Sequence, residues 1–397
     1  MMNINTLDKV DVTGKNVLLR LDLNVPLSDG KITDDTRIVA ALPTLKFLLD
    51  KAKSVVVMSH LGRPKGEVNE KYSLQPVGER LAQLLDKEVV FVSDYMEEPV
   101  TQVLNHLSDR QFILLENLRF HADETKNGAE LARRLVDGFD IYVNDAFGTL
   151  HRSHASVVGV PEILPPKQRV AGLLVEKEID ALQKVMNRPE APFTVIMGGA
   201  KVSDKIGVTL SILDRCNTLL VGGAMAYTFL KYKGVDIGAS RCEDDKLDLV
   251  EKIYRNAAER RVEIVLPIDH VGAKTFSEDA EAIEVATESI PEGVMGLDIG
   301  PRTREKFSRI ISESKTVLWN GPMGVFEWSS FANGTLDMAK ALASCEGKTV
   351  IGGGDSVAAA NLAKVSDQIS HISTGGGASL EFLEGKVLPG VRVLAQN

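Results

Sequence analysis

Short, unbroken apolar runs rich in β-branched residues recur through the first half of the chain: VLLRLDLNVP from Val17, VVVMSH from Val55, VVFVSD from Val89, FILLEN from Phe112 and IYVNDA from Ile141. The intervals between them leave room for one helix each. Strands without polar alternation are buried on both faces, and a helix between successive strands marks a parallel sheet. The second half repeats the rhythm in FTVIMGG from Phe193, TLLVGG from Thr218, EIVLPIDH from Glu263, VMGLDIG from Val294, TVLWNGP from Thr316, VIGGG from Val350 and HISTGGG from His371. Between the two series, Pro161, Pro165, Pro166, Pro189 and Pro192 bracket LLVEKEIDALQKVMN, whose apolar positions repeat at helical spacing. The pattern predicts an α/β protein of two doubly wound parallel-sheet, Rossmann-like domains, over residues 1–172 and 173–385, facing a cleft and joined by one helix.

Size agrees with two cores, because 397 residues exceed the roughly 250 to 300 at which a single core stops growing. A composition of 44% hydrophobic and 25% charged residues is that of a globular protein and excludes a disordered or fibrous chain. The net charge of -9 argues against a general nucleic-acid binder, so any anion site has to be local. Cys216, Cys242 and Cys345 are widely spaced and form no Cys-x-x-Cys, which speaks against a disulfide framework or a zinc site. The opening MMNINTLDKVD lacks the basic and apolar regions of a secretory leader, and no apolar run approaches the roughly 18 residues of a membrane span. A cytoplasmic protein without membrane contact is expected.

In open parallel sheets, ligands bind beyond the carboxyl ends of the strands. In the first half those ends carry Asp22 and Asn24, then His60, Gly62 and Arg63, then Asn117 and Arg119, then Asn144 and Asp145, with His151, Arg152 and His154 just beyond. Arg37 follows the turn-rich SDGKITDDTR. Any one arginine is well explained as a solvated surface charge. Four guanidiniums on four loops, Arg37, Arg63, Arg119 and Arg152, instead suit bidentate recognition of phosphate or carboxylate, and the expected ligand is a small, multiply charged anion. His151, Arg152 and His154 lack the spacing of a zinc-binding helix.

The second half ends its strands in glycine: Gly198 and Gly199 before Lys201, Gly222 and Gly223, Gly300 and Pro301, Asn320 to Pro322, Gly352 to Asp355, and Gly375 to Gly377. Each pair alone merely closes a turn, but a rim of them lets backbone N–H groups and helix N-termini approach a nucleotide polyphosphate. In MGGAKVSDKIGV, a helix starting near Val202 would bring Lys201 and Lys205 to one edge, with an anion between them; two solvated lysines paired with Asp204 are the plainer alternative. Asp355, at a helix start, is readable as an N-cap or as a magnesium ligand.

The strings RLDLNVP, SHLGRPKG, ENLRFH, NDAFGTLHRSHAS, GGAKVSDK, GLDIGP, WNGPMGVFEW, GGGDS and STGGGAS, in this order over residues 18–379, resemble the phosphoglycerate kinase family. The resemblance implies a monomeric, hinge-bending glycolytic enzyme that moves a phosphoryl group reversibly from 1,3-bisphosphoglycerate to MgADP, giving 3-phosphoglycerate and MgATP. It implies that Asp22, Asn24, Arg37, His60, Arg63, Arg119 and Arg152 contact the triose. Lys201, Lys205, Gly222, Gly223, Gly296, Asn320, Pro322, Glu327, Gly353, Gly354, Asp355 and Ser356 would serve the nucleotide, with Glu327 on the ribose and Asp355 on Mg2+. It also implies that the tail 386–397 returns to the first domain. Two departures from the family pattern are visible: Ala224 follows Gly222 and Gly223 where a third glycine is frequent, which would tighten the adenine pocket, and Ser356 stands where threonine is common.

Carboxylate and β-phosphate acceptors are already ionised at neutral pH, so the reaction needs no base, only alignment and positive charge around the migrating group. That role falls to Arg37, Lys201 and Lys205, helped by backbone donors at Gly376 and Gly377. Domain closure, hinged at 173–187 and near 373–380, would set the in-line distance. A catalytically silent nucleotide- and phosphometabolite-binding protein would have lost these cations. A Rossmann dehydrogenase would carry Gly-x-Gly-x-x-Gly after the first strand, where this chain reads DLNVP.

Overall fold

A computed structural model describes residues 4–97, 100–104, 106–108 and 111–395, so the last two residues of the expected tail lie outside the described residues. The chain divides into two compact units, Met1–Asp180 with Val387–Asn397, and Ala181–Lys386.

In the first unit the apolar runs become β1 (Asn16–Leu21), β4 (Ser54–Met58), β5 (Glu88–Val92), β6 (Gln111–Leu115) and β7 (Ile141–Asp145). A two-residue hairpin, β2 (Leu27–Ser28) with β3 (Lys31–Ile32), and β8 (Arg169–Ala171) are too short to leave a pattern in the sequence. The sheet runs β5-β6-β4-β1-β7-β8 with every pair parallel. From β1 the chain moves one way to β4, and from β7 the other way to β8. The switch point therefore lies between the carboxyl ends of β1 and β7, where such sheets hold their ligands. Val17, Leu19 and Leu21 of β1 join Val55, Val57, Leu45 and Leu48 in a continuous core on one face of the sheet.

The second unit contains β9 (Phe193–Met197), β10 (Thr218–Val221), β11 (Glu263–Val265), β12 (His270–Ala273), β13 (Ile283–Val285), β14 (Met295–Ile299), β15 (Thr316–Asn320), β16 (Lys348–Gly352) and β17 (His371–Ile372). Its parallel sheet runs β11-β10-β9-β15-β16-β17, the doubly wound order with the switch point between β9 and β15. One expectation needs correcting. The run VMGLDIG supplies β14, which is not a member of that sheet but pairs antiparallel with β12, itself antiparallel to β13. It reads as a doubly buried strand because it is one: Leu297 packs with Ala273 and Phe331, while Ile299 joins the main core with Phe307 and Trp319.

The proline-bracketed pattern folds as the helix Leu173–Asn187, and the division between the units falls inside it. Its N-terminus is anchored by Asp145 at the end of β7. The carboxylate accepts from the amides of Leu174 at 2.8 Å and Val175 at 3.1 Å, and Thr44 Oγ1 accepts from Leu173 at 3.0 Å. The approach is so close that a Cβ at Gly172 would lie 2.2 Å from Asp145 Oδ1. Burial pushes the Asp145 carboxyl up to about 6, against the pull of Thr44 and the two amides.

Candidate functional site

The carboxyl ends of β1, β4 and β6, with the loop after β7, enclose a pocket of about 600 Å³ in the first unit. Asp22, Asn24, Arg37, His60, Arg63, Arg119 and Arg152, drawn from five separate segments, all line it, with Lys65, Thr125, Thr149, His151 and His154. Arg37, in the first turn of the helix Thr36–Lys51, is pinned rather than free. Its Nη1 donates to Asp22 Oδ1 at 3.3 Å and to the Asn24 carbonyl at 3.0 Å. Asn24 Oδ1 accepts the Gly62 amide at 2.8 Å, and Arg119 Nη1 donates to the Gly62 carbonyl at 2.8 Å. Three strand-end loops thus hold one another through the residues that face the pocket.

Charge in this pocket is far from balanced. Arg37, Arg63, Lys65, Arg119 and Arg152 bring five fixed cations to the lining, against the single carboxylate of Asp22. Burial, reinforced by Arg20, brings the Arg119 guanidinium down to about 10, and its Nε is buried with no hydrogen-bond partner. His154 is pushed down to about 4 by burial, then by Arg119, Arg20 and Arg152. His60 is held well below its ordinary value by burial and then by Arg20. Neither imidazole therefore adds a charge at neutral pH, and the uncompensated guanidiniums call for a ligand with several negative charges.

Not every polar strand end faces the pocket. Asn117, with no exposed surface, accepts from the amides of Leu61 and Arg119 and donates to the carbonyls of Leu61 and Tyr72. Asn144 turns to Tyr142 and to the Ala146 amide, and Asp145 to its helix. The strand-end pattern also passes over Lys65, Thr125 and Thr149, which line the pocket, and Arg20, which lies buried behind His60. For Arg20 a signal existed, since an arginine inside the apolar run VLLRL has to find partners in a buried strand.

In the second unit the helix after β9 begins at Ile206, not near Val202. Lys205 occupies its cap position and Lys201 an exposed loop, so the two do not share a helix face. Glu243 holds the intervening loop through the amide and hydroxyl of Ser203. Lys205 is directed inward, donating to Asn320 Oδ1, while Asn320 Nδ2 donates to the Gly352 carbonyl at 2.9 Å. Burial lowers the Lys205 ammonium, against the opposing pull of Asp355 and then Asp204.

The glycines divide into two kinds. The amides of Gly198, Gly199, Gly222 and Gly223 are already donated to Asn320, Pro322, Met197 and Met323 carbonyls. At Gly198 a Cβ would lie 2.1 Å from the Pro322 carbonyl oxygen, so glycine is required there by backbone meeting backbone. Gly353 and Gly354, in contrast, open the helix Gly354–Leu362, and Gly376 and Gly377 open the helix Gly376–Leu383. A Cβ on Gly376 would lie 3.6 Å from the Gly354 amide, so two helix N-termini converge. Two positive helix ends side by side form a ready anion cradle.

The remaining expected nucleotide residues are distributed around this rim. Asp355 is exposed in the first helical turn and Glu327 is exposed beyond β15. Ser356 is buried, its Oγ accepting the Gly321 amide at 2.6 Å. Gly296 in β14 donates its amide to Ser240 Oγ at 2.8 Å, with Tyr227 against its face. Ala224 has a right-handed helical backbone that does not need glycine, and it packs on the Tyr227, Leu230 and Ile237 cluster.

Two doubly wound α/β units, one with a strongly cationic strand-end pocket and the other with paired helix N-termini and a half-buried lysine, define a class of protein built to handle phosphorylated anions. The pattern of the phosphoglycerate kinase family matches residues 7–386. The chain belongs to the phosphoglycerate kinase family, which makes it a kinase, a transferase of phosphoryl groups. It is 49% identical over 394 residues to the phosphoglycerate kinase of Clostridium tetani, spanning 99% of this chain and 98% of that one. It is 51% identical over 396 residues to that of Thermosipho africanus, with 99% and 98% covered. The solved phosphoglycerate kinase of Coxiella burnetii superposes with a TM-score of 0.88 at 39% identity, over 98% of both chains. That of Pyrococcus horikoshii gives 0.84 at 35% identity, with 98% of both chains covered.

Proposed function

We propose that this protein transfers a phosphoryl group reversibly between 1,3-bisphosphoglycerate and MgADP, giving 3-phosphoglycerate and MgATP, in glycolysis. The observation that carries the reading is the pocket of the first unit, where five fixed cations meet one carboxylate in about 600 Å³. A triose bearing both phosphate and carboxylate is the size and charge that this lining neutralises.

Asp22 and Asn24 orient the triose, while Arg37, His60, Arg63, Arg119 and Arg152 bind its anionic ends. The nucleotide lies over Gly222, Gly223, Gly296, Asn320, Pro322 and Glu327, with its phosphates toward Lys201, Lys205, Gly353, Gly354, Asp355 and Ser356. Ser356 contributes through the Gly321 turn that its hydroxyl holds. Both acceptors are ionised already, so no side chain takes a proton. Arg37, Lys201 and Lys205 surround the oxygens of the group in flight, and the amides of Gly376 and Gly377 add donors. Closure of the units excludes water, hinged on the helix Leu173–Asn187 and near 373–380.

Magnesium fits the donor set. Among the described residues no three metal-ligating side chains gather. A Mg2+ ion that rides on nucleotide phosphates needs only one or two carboxylates, and Asp355 stands exposed at a helix N-terminus beside the phosphate cradle. Asp355 would hold the ion, which supplies charge neutralisation of the β- and γ-phosphates. We read the protein as a cytoplasmic monomer; among the described residues no helix is long and apolar enough to cross a membrane.

The division of labour is testable by calorimetric titration of the whole chain. Arg63→Ala should weaken 3-phosphoglycerate binding by roughly tenfold or more, about the value of one charge-assisted contact. MgADP binding should be unchanged. Equal losses for both ligands would remove the assignment of one substrate to each unit.

A further inference from the structure

Beneath the cationic pocket lies a buried chain of groups that the phosphoryl transfer does not itself use. Arg20, one residue before the carboxyl end of β1, has no exposed surface. Its Nε donates to Ser156 Oγ at 2.9 Å, its Nη1 to the Leu21 carbonyl, and its Nη2 lies 3.1 Å from His60 Nδ1. Ser156, equally buried, donates its hydroxyl to Glu124 Oε1 at 2.6 Å and its amide to Glu124 Oε2 at 2.9 Å. Glu124 is fully buried as well, and it balances the guanidinium through that single hydroxyl.

A guanidinium has donors only and keeps its charge at every pH the protein meets. Across the contact with Nη2, Nδ1 of His60 must therefore accept, which leaves the ring proton on Nε2. A second proton, on Nδ1, would point straight at a fixed positive charge. We propose that Arg20, held in place by Ser156 and Glu124, locks His60 as the neutral Nε2–H tautomer, so that the triose anion meets a fixed hydrogen-bond donor there and not a sixth cation. This rests on the reading of the pocket as the triose site.

Arg20, Ser156 and Glu124 are positioning residues, acting on the substrate through His60. His60 lines the pocket, and with Nδ1 engaged its Nε2–H is the one polar edge it has left to offer. Burial and the facing charges of Arg20, Arg119 and Arg37 all oppose protonation of the ring, and the neutral His154 ring beside it supplies no compensating negative charge. The donor adds direction where the arginines add charge, and it stays the same across the physiological pH range.

Nitrogen-15 NMR of the histidine rings in the intact protein tests the lock without reference to turnover. From about pH 5 to pH 8, His60 should show a protonated Nε2 and an unprotonated, hydrogen-bonded Nδ1, and 3-phosphoglycerate should shift Nε2. An imidazolium in that range, or a proton on Nδ1, overturns the proposal. Arg20→Lys and Ser156→Ala should release a mixture of tautomers and weaken 3-phosphoglycerate binding roughly tenfold, the worth of one hydrogen bond to a charged group. MgADP affinity should be untouched. Folded variants with an unchanged ring and unchanged affinity overturn the proposal, and where they fail to fold the wild-type spectrum decides. His60→Gln, which keeps a donor near Nε2, should bind better than His60→Asn; the reverse order counts against the lock. A His60 ring unmoved by 3-phosphoglycerate in an active enzyme defeats the donor role and leaves the kinase reading standing. A locked ring that responds in a protein without turnover defeats the kinase reading and leaves the lock.

Discussion

Lys205 carries the sharpest consequence at the scale of single residues. A lysine bears its charge below its pKa, and burial lowers that pKa here, so the ammonium is lost at a lower pH than in an ordinary lysine. If this charge shields the migrating group, turnover should decline on the alkaline side while the protein remains folded. In Lys205→Arg the decline should move to higher pH, because a guanidinium does not titrate there. A pH profile of kcat with the same alkaline limb in both proteins would exclude Lys205 from that role. How such residues read in the sequence varied with what their neighbours require. Arg63, Arg119 and Arg152 were legible because each follows a strand end, where such sheets hold their ligands. Asn117, Asn144 and Asp145 stand at equally good strand ends but spend their polar atoms on the chain itself. Nothing in the sequence around Asn117 marks the difference, because the carbonyls that accept from its Nδ2, those of Leu61 and Tyr72, lie 56 and 45 positions away.

Among elements, the anchor of the helix Leu173–Asn187 is the most exposed to test. The Asp145 carboxyl stands at about 6 in the folded protein, above its ordinary 3.8. An acid with a raised folded-state pKa makes the native state bind more protons than the unfolded one between those two values. Its contribution to stability therefore falls as pH rises from about 4 to about 6. Asp145→Asn keeps the acceptor for the Leu174 and Val175 amides but cannot ionise. Urea unfolding should find it about as stable as wild type near pH 4 and on the order of 1 to 3 kcal/mol more stable at pH 8. A variant less stable than wild type at pH 8 would contradict the burial account. The β9 turn makes a separate prediction. Gly198→Ala would drive a Cβ to within 2.1 Å of the Pro322 carbonyl oxygen. The β9 and β15 turns should move apart, with a stability loss of about 1 to 3 kcal/mol and a raised KM for ATP; unchanged values of both would deny the contact its importance. The long parallel strands and the connecting helix were legible from unbroken apolar runs and helical spacing. β8 and the β2–β3 hairpin were not, having three residues or fewer per strand. The start of the helix at Ile206 was missed because Glu243, 40 residues downstream of Ser203, holds the preceding loop open.

For the whole molecule, the two-unit α/β architecture followed from length and rhythm. The antiparallel sheet of β12, β13 and β14 did not, because β14 is about as buried as the parallel strands while β13 is only three residues long, one of them exposed. Its pairing depends on contacts that no local pattern encodes. What remains is the claim that cations from both units converge on one phosphoryl group. The measurement that bears on it most directly is a coupled assay of ADP formation from ATP and 3-phosphoglycerate with magnesium, on wild type, Arg37→Ala and Lys205→Ala, with circular dichroism to confirm folding. Wild type should turn over, and each variant should lose on the order of 10³-fold or more in kcat, the scale of a cation that stabilises phosphoryl transfer, while staying folded. No ADP from wild type, or folded variants that keep their rate, would contradict it.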